Sequence, residues 1–96
     1  MNHPKRIIPN PLLAWREIDG QVVIISPEDS MVHELNETAS FIWKQVDSRR
    51  DAAEIARNVG IEYSVGASEV QEDTERFLSC LAKKGLLQIE EMPRNV

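Results

Sequence analysis

Ninety-six residues make a single domain with one modest core, since a chain of this size buries only about 60–70% of its unfolded surface; a second domain or a large internal active-site cavity does not fit. Sixteen acidic against eleven basic side chains leave a net charge of −5, which argues against DNA, RNA or an anionic membrane as the main partner. One cysteine, Cys80, excludes an internal disulfide and a thiolate metal centre, and no apolar run reaches the roughly eighteen residues of a membrane span or resembles a signal peptide, so a soluble cytoplasmic protein is expected.

Pro4, Pro9 and Pro11 interrupt residues 1–11, which read as an extended N-terminal arm, ordered only where Ile7 and Ile8 find something to cover. Structure begins with "LLAWREI", Leu12 to Ile18, then Asp19-Gly20, then "QVVIIS", Gln21 to Ser26. An Asp-Gly pair between β-rich runs signals a two-residue hairpin, because glycine accepts the positive φ of the primed turns. "PEDS", Pro27 to Ser30, supplies the next turn, and "MVHEL", Met31 to Leu35, completes a three-stranded antiparallel meander whose first and third strands are edges.

The apolar period changes at Asn36, a good N-cap, since Ala39, Ile42, Trp43 and Val46 share one helical face; the first helix is expected over 37–47. In "DAAEIARNVG", Asp51 with Glu54 forms a capping-box-like pair, Ile55 and Val59 face inward, and Gly60 ends a short second helix. Ser68 with Gln71 reads as a further capping box, opening a third and longest helix whose stripe of Val70, Thr74, Phe77, Leu78 and Leu81 runs to Lys83, Lys84 and Gly85. "LLQIE", Leu86 to Glu90, is either a last short strand or a packed tail, and residues 91–96 read as a frayed tail. Three strands followed by three short helices make an α+β fold, a winged helix-turn-helix with a three-stranded antiparallel sheet and the hairpin as the wing.

Catalysis has little to work with. His33 stands in the third strand with no second histidine, cysteine or aspartate at ligand spacing, and a structural or edge-exposed role outweighs a catalytic one. Cys80 lies one residue off the apolar stripe of the third helix and reads as core or boundary packing. Four glycines include no phosphate-binding loop, and no cofactor or metal is expected. A small winged-helix transcription or regulatory protein is the alternative, yet the first turns of the third helix carry Glu69, Glu72, Asp73 and Glu75, which would face phosphates. That acidic face is in part the solvated side of an amphipathic helix, with negative charge suited to its N-terminus. Beside it, the open edge of Met31–Leu35 is the remaining opportunity, because an extended peptide can pair with an unpaired strand edge.

Three stretches, "HELNETASFIW", "DAAEIARNV" and "EVQEDTERFLSCLAKKGLL", resemble in order and spacing the PqqD-like family of peptide chaperones, also called RiPP recognition elements, over about Val22 to Leu87. The resemblance implies a winged helix-turn-helix domain over 12–90 that is not an enzyme. It implies a chaperone that binds the leader segment of a ribosomally made precursor peptide by strand addition to the third strand, against the third helix. The peptide is then presented to a modifying enzyme, a radical S-adenosylmethionine maturase in PQQ biosynthesis. Carried onto this sequence, one wall of the groove is Met31, Val32, His33 and Glu34, and the other is Val70, Asp73, Thr74 and Phe77; Leu35, Ile42, Trp43, Leu78 and Leu81 are core beneath it.

Overall fold

The computed structural model describes residues 5–26, 30–47 and 49–91. The elements in chain order are β1 (Lys5–Pro9), β2 (Ala14–Ile18), β3 (Gln21–Ser26), β4 (Met31–Glu34), α1 (Glu37–Trp43), α2 (Ala52–Tyr63), α3 (Ala67–Lys83) and β5 (Leu87–Glu91). Strands β2, β3 and β4 form the antiparallel meander, with β3 central, and with the three helices they make a winged helix-turn-helix. The β2–β3 hairpin turns on Asp19 and Gly20 at φ of 51° and 84°, the positive pair that a type I′ turn demands. The expected "PEDS" turn lies mostly outside the described residues, as does nearly all of the expected tail over 91–96.

The N-terminal stretch does more than the expected arm. Residues 5–9 are a strand, antiparallel to β5 in the register Ile7↔Ile89, which also places "LLQIE" in a strand. Ile7 is buried in the core beside Leu86 and Leu87, and an isolated bridge from Arg6 to Asp51 ties β1 to the start of α2. Asn10 closes the corner: its amide side chain donates to the Gly85 carbonyl at 3.0 Å and its side-chain oxygen accepts from the Leu12 N–H at 2.9 Å. Pro9 sits at the strand's end, where the missing N–H removes little from the ladder.

Helix boundaries depart from the sequence reading at three places. The first helix stops at Trp43 rather than 47, because Gln45 and Val46 donate to Ile42 and Trp43 in tightened i→i−3 bonds, and the Gln45 amide caps the Phe41 carbonyl. Gly60 does not end α2, which continues to Tyr63 and closes on Ser64 in the left-handed conformation at φ 56°. A side-chain carbon at Gly60 would stand 3.2 Å from the Val65 carbonyl oxygen and 3.4 Å from Val70 Cγ1, so this glycine lets the following turn approach the helix. Ser68 and Gln71 form no capping box: α3 begins at Ala67 behind Gly66, whose N-cap offers no side chain, and the Gln71 amide donates instead to Glu75. The Asn36 and Asp51 caps do form, each accepting from the N–H three residues on at 2.8 Å. Between α1 and α2, Asp47 accepts from the Arg49 and Arg50 N–H groups, and these bonds, assisted by the charge of Arg50, hold its carboxyl below its ordinary pKa.

One core joins the layers. Val22 and Ile24 from β3, Leu35, Ile42 and Trp43 around α1, Ile55 and Val59 from α2, and Val70, Leu78 and Leu81 from α3 are all buried. The wing is clamped to α1 by an edge-to-face contact of Trp15 on Trp43, ring centroids 6.3 Å apart, and by Lys44 to Glu17 at 2.9 Å. A buried hydroxyl completes the junction: Ser40 Oγ accepts from the Val22 N–H at 2.8 Å and donates to the Leu35 carbonyl at 3.2 Å. It serves two backbone groups where β4 leaves the sheet, so neither is orphaned.

Candidate functional site

The geometry of β4 decides which of its groups are available. Its register pairs Met31 with Ser26, Val32 with Ile25, His33 with Ile24 and Glu34 with Val23. Next in line, the Leu35 N–H donates to the Val22 carbonyl at 2.9 Å. Because hydrogen-bonded and open pairs alternate along an antiparallel ladder, Leu35, His33 and Met31 turn their backbone groups toward β3. The N–H and C=O of Val32 and Glu34 therefore point away from the sheet, along its free edge. Side chains divide the other way: His33 shares a face with buried Ile24, toward the helices, while Val32 and Glu34 share the outer face with Ile25 and Val23.

Opposite this edge runs α3. Val70 and Thr74 are buried and form floor rather than wall, Phe77 is half-buried, and Asp73 is exposed. A cleft of about 390 Å³ opens between α1, α2 and α3, lined by Val70, Asp73, Thr74 and Phe77 together with Asn36 and Tyr63. A second, of about 350 Å³, lies between β4 and α3, lined by His33, Glu34, Phe77, Cys80 and Lys84 among others. Asn36, Ala39 and Phe77 belong to both, so the two are parts of one groove. Of the eight residues expected to wall it, six line the clefts; Met31 and Val32 stand at the exposed strand edge instead.

Several groove residues escaped the sequence reading. An end of α2 at Gly60 leaves Tyr63 outside the helix; in the structure it is the last residue of α2, packs edge-to-face on Phe41 at 5.7 Å and lines the first cleft. Asn36, whose side chain caps α1, also stands at the seam of both clefts, a place that follows from the β4–α1 corner. Cys80 corrects an expectation: it is exposed, because one position off the stripe of a packed helix already faces solvent at a groove rim. His33 Nε2 is buried and has no hydrogen-bond partner among the described residues, an unmet polar group on the groove side of β4.

The charges are arranged less simply than the sequence implies. Arg76 bonds Glu72 at 2.9 Å and approaches Asp73 at 3.5 Å, which offsets part of the acidic start of α3, while Lys84 marks the opposite end of the groove. Among the described residues no three His, Cys, Asp or Glu side chains gather as a metal site would require, and no helix is long and apolar enough to cross a membrane.

Residues 21–87 match the family described as Coenzyme PQQ synthesis protein D (PqqD). The chain belongs to the PqqD family. Solved structures place the fold of this PqqD family member in the same group. It is similar to TbiB1 in complex with the TbiA(beta) leader peptide, at 28% identity and a TM-score of 0.79, covering 84% of this chain and 94% of that one. A lasso peptide synthetase B1 complexed with its leader peptide shares the fold at 19% identity and a TM-score of 0.77, over 86% and 98% of the two chains. So does the PqqD portion of Methylobacterium extorquens PqqCD, a stand-alone RiPP recognition element, at 24% identity and 0.68, over 88% of each. No curated protein sequence gives a significant match.

Proposed function

We propose that this PqqD family member is a non-catalytic chaperone for a ribosomally made precursor peptide. The leader segment adds as a strand to β4, pairing with the outward N–H and C=O groups of Val32 and Glu34, and lays alternate side chains into the groove along α3. Backbone pairing gives affinity without regard to sequence. Selectivity comes from what fills the clefts around Phe77, Tyr63 and Asn36 and from the unmet His33 Nε2. The chemistry belongs to a separate modifying enzyme, to which the chain presents the peptide, as in PQQ biosynthesis; a reducing cytoplasm suits the single exposed thiol of Cys80.

The observation that carries this reading is the coincidence of an open strand edge with a groove directly beside it. The 28%-identical TbiB1, whose structure holds a leader peptide, supports it. The test is a calorimetric titration with a candidate leader peptide, using the parent chain and Val32→Pro. Proline removes one outward N–H and leaves the β3 ladder untouched. Binding by the parent and none by a folded Val32→Pro is the expected result; equal affinity for both rules out strand addition at this edge.

A further inference from the structure

The central strand reads Val22-Val23-Ile24-Ile25, apolar on both faces, although an antiparallel sheet covered on one side alternates apolar with polar. Among the described residues only one face is covered. Val22 and Ile24 are 0% exposed beneath the helices, while on the other face Ile25 is 46%, Ile18 54% and Val32 57% exposed. The register arranges this outer face in rows: Ala14, Ile25 and Val32 form one, and Arg16, Val23 and Glu34 the next. Arg16 and Glu34 stand at opposite margins of their row, two strands apart, and neither has an ion-pair partner among the described residues.

Such a face is its own complement. Turning a second copy over, about an axis that runs along β3 in the plane of contact, lays β2 of each copy over β4 of the other. Arg16 then meets the partner's Glu34, and Glu34 meets the partner's Arg16. Ile25 meets its own counterpart, and Ala14 lies over the partner's Val32. We propose that the outer face of the β2–β3–β4 sheet is a self-association surface, on which a second copy of this chain docks with two Arg16–Glu34 pairs flanking an apolar Ile25–Val32 seam. The contact is isologous and closes on itself as a dimer, with the two sheets packed face to face and their strands nearly aligned. Three short strands offer less than the roughly 800 Å² per partner of a standard interface, so the dimer is weak and exchanges readily. The helix-side groove lies on the opposite face of each sheet and stays accessible in both copies.

Sedimentation equilibrium of the full chain at low salt, from micromolar to about 1 mM, tests it in the range where weak interfaces populate. The expected mass rises from 10.9 kDa toward twice that value with concentration. Arg16→Glu sets two like-charged pairs in contact and weakens association by about tenfold or more, and Ile25→Lys removes it. The double variant R16E with E34R restores association because the two residues face each other across the contact, and the loss on Ile25→Lys, at the central strand, separates face-to-face packing from pairing of strand edges. Circular dichroism confirms that each variant, altered at exposed positions, remains folded. A constant mass of 10.9 kDa at every concentration, as when this face serves a different protein, overturns the proposal. So does association that Arg16→Glu leaves unchanged or that the charge exchange fails to restore.

Discussion

The Leu35 N–H donates to the Val22 carbonyl at 2.9 Å, and this one bond sets the phase of the whole β4 edge. It turns the backbone of His33 inward and that of Val32 and Glu34 outward. Proline substitutions along the strand are therefore expected to alternate in effect. Glu34→Pro, like Val32→Pro, removes an outward N–H and is expected to block a leader peptide while melting changes little. His33→Pro removes a ladder bond to Ile24 and is expected to lower the melting temperature by several degrees, the shift that about 1 kcal/mol produces in a domain of this size. Thermal melts of the three variants read the pattern directly.

Ser40 joins the Val22 N–H to the Leu35 carbonyl from a buried position. Ser40→Ala strands both groups away from water, and a loss of about 1–3 kcal/mol is expected in urea denaturation. Since the affected bonds root β4 to α1, leader binding is expected to weaken as well.

Phe77 is shared by both clefts and is only half-buried without a peptide. A partly exposed aromatic side chain at the seam of a groove behaves as an anchor once covered, so Phe77→Ala is expected to cost about tenfold or more in leader affinity. Calorimetry with the variant at unchanged affinity would mean that the peptide bypasses the seam.

The β1–β5 pair predicts that Lys5–Pro9 is structural. Ile7 is 1% exposed, and Ile7→Ala is expected to destabilise the domain by about 2–5 kcal/mol, the usual cost of emptying a buried site. A loose arm would give a change near zero in the same denaturation curve.

The parts of the fold that were legible in the sequence rest on local chemistry. Asp19-Gly20 could only turn a hairpin, and the Asn36 and Asp51 caps and the α3 stripe each follow from a period or a side chain acting within one turn. What was not legible depends on residues distant in sequence. The pairing of Ile7 with Ile89 crosses almost the whole chain, whereas the three prolines of residues 1–11 are a local signal that points to an irregular arm. Gly60 looked like a stop because its actual reason, the approach of Val65 and Val70, is tertiary. The groove was legible as a strand edge beside an amphipathic helix. Tyr63 and Cys80 were not, since their places depend on where α2 ends and on how far α3 rotates against β4. The face on which His33 lies needed the register, which one residue of slip would have reversed.

Amide hydrogen exchange measured residue by residue, with and without a saturating leader peptide, tests strand addition most directly. The Val32 and Glu34 amides have no ladder bond to β3 and are expected to gain about tenfold or more protection in the complex, well beyond the change at His33 and Leu35. Unchanged exchange at Val32 and Glu34 in a saturated complex would contradict the account.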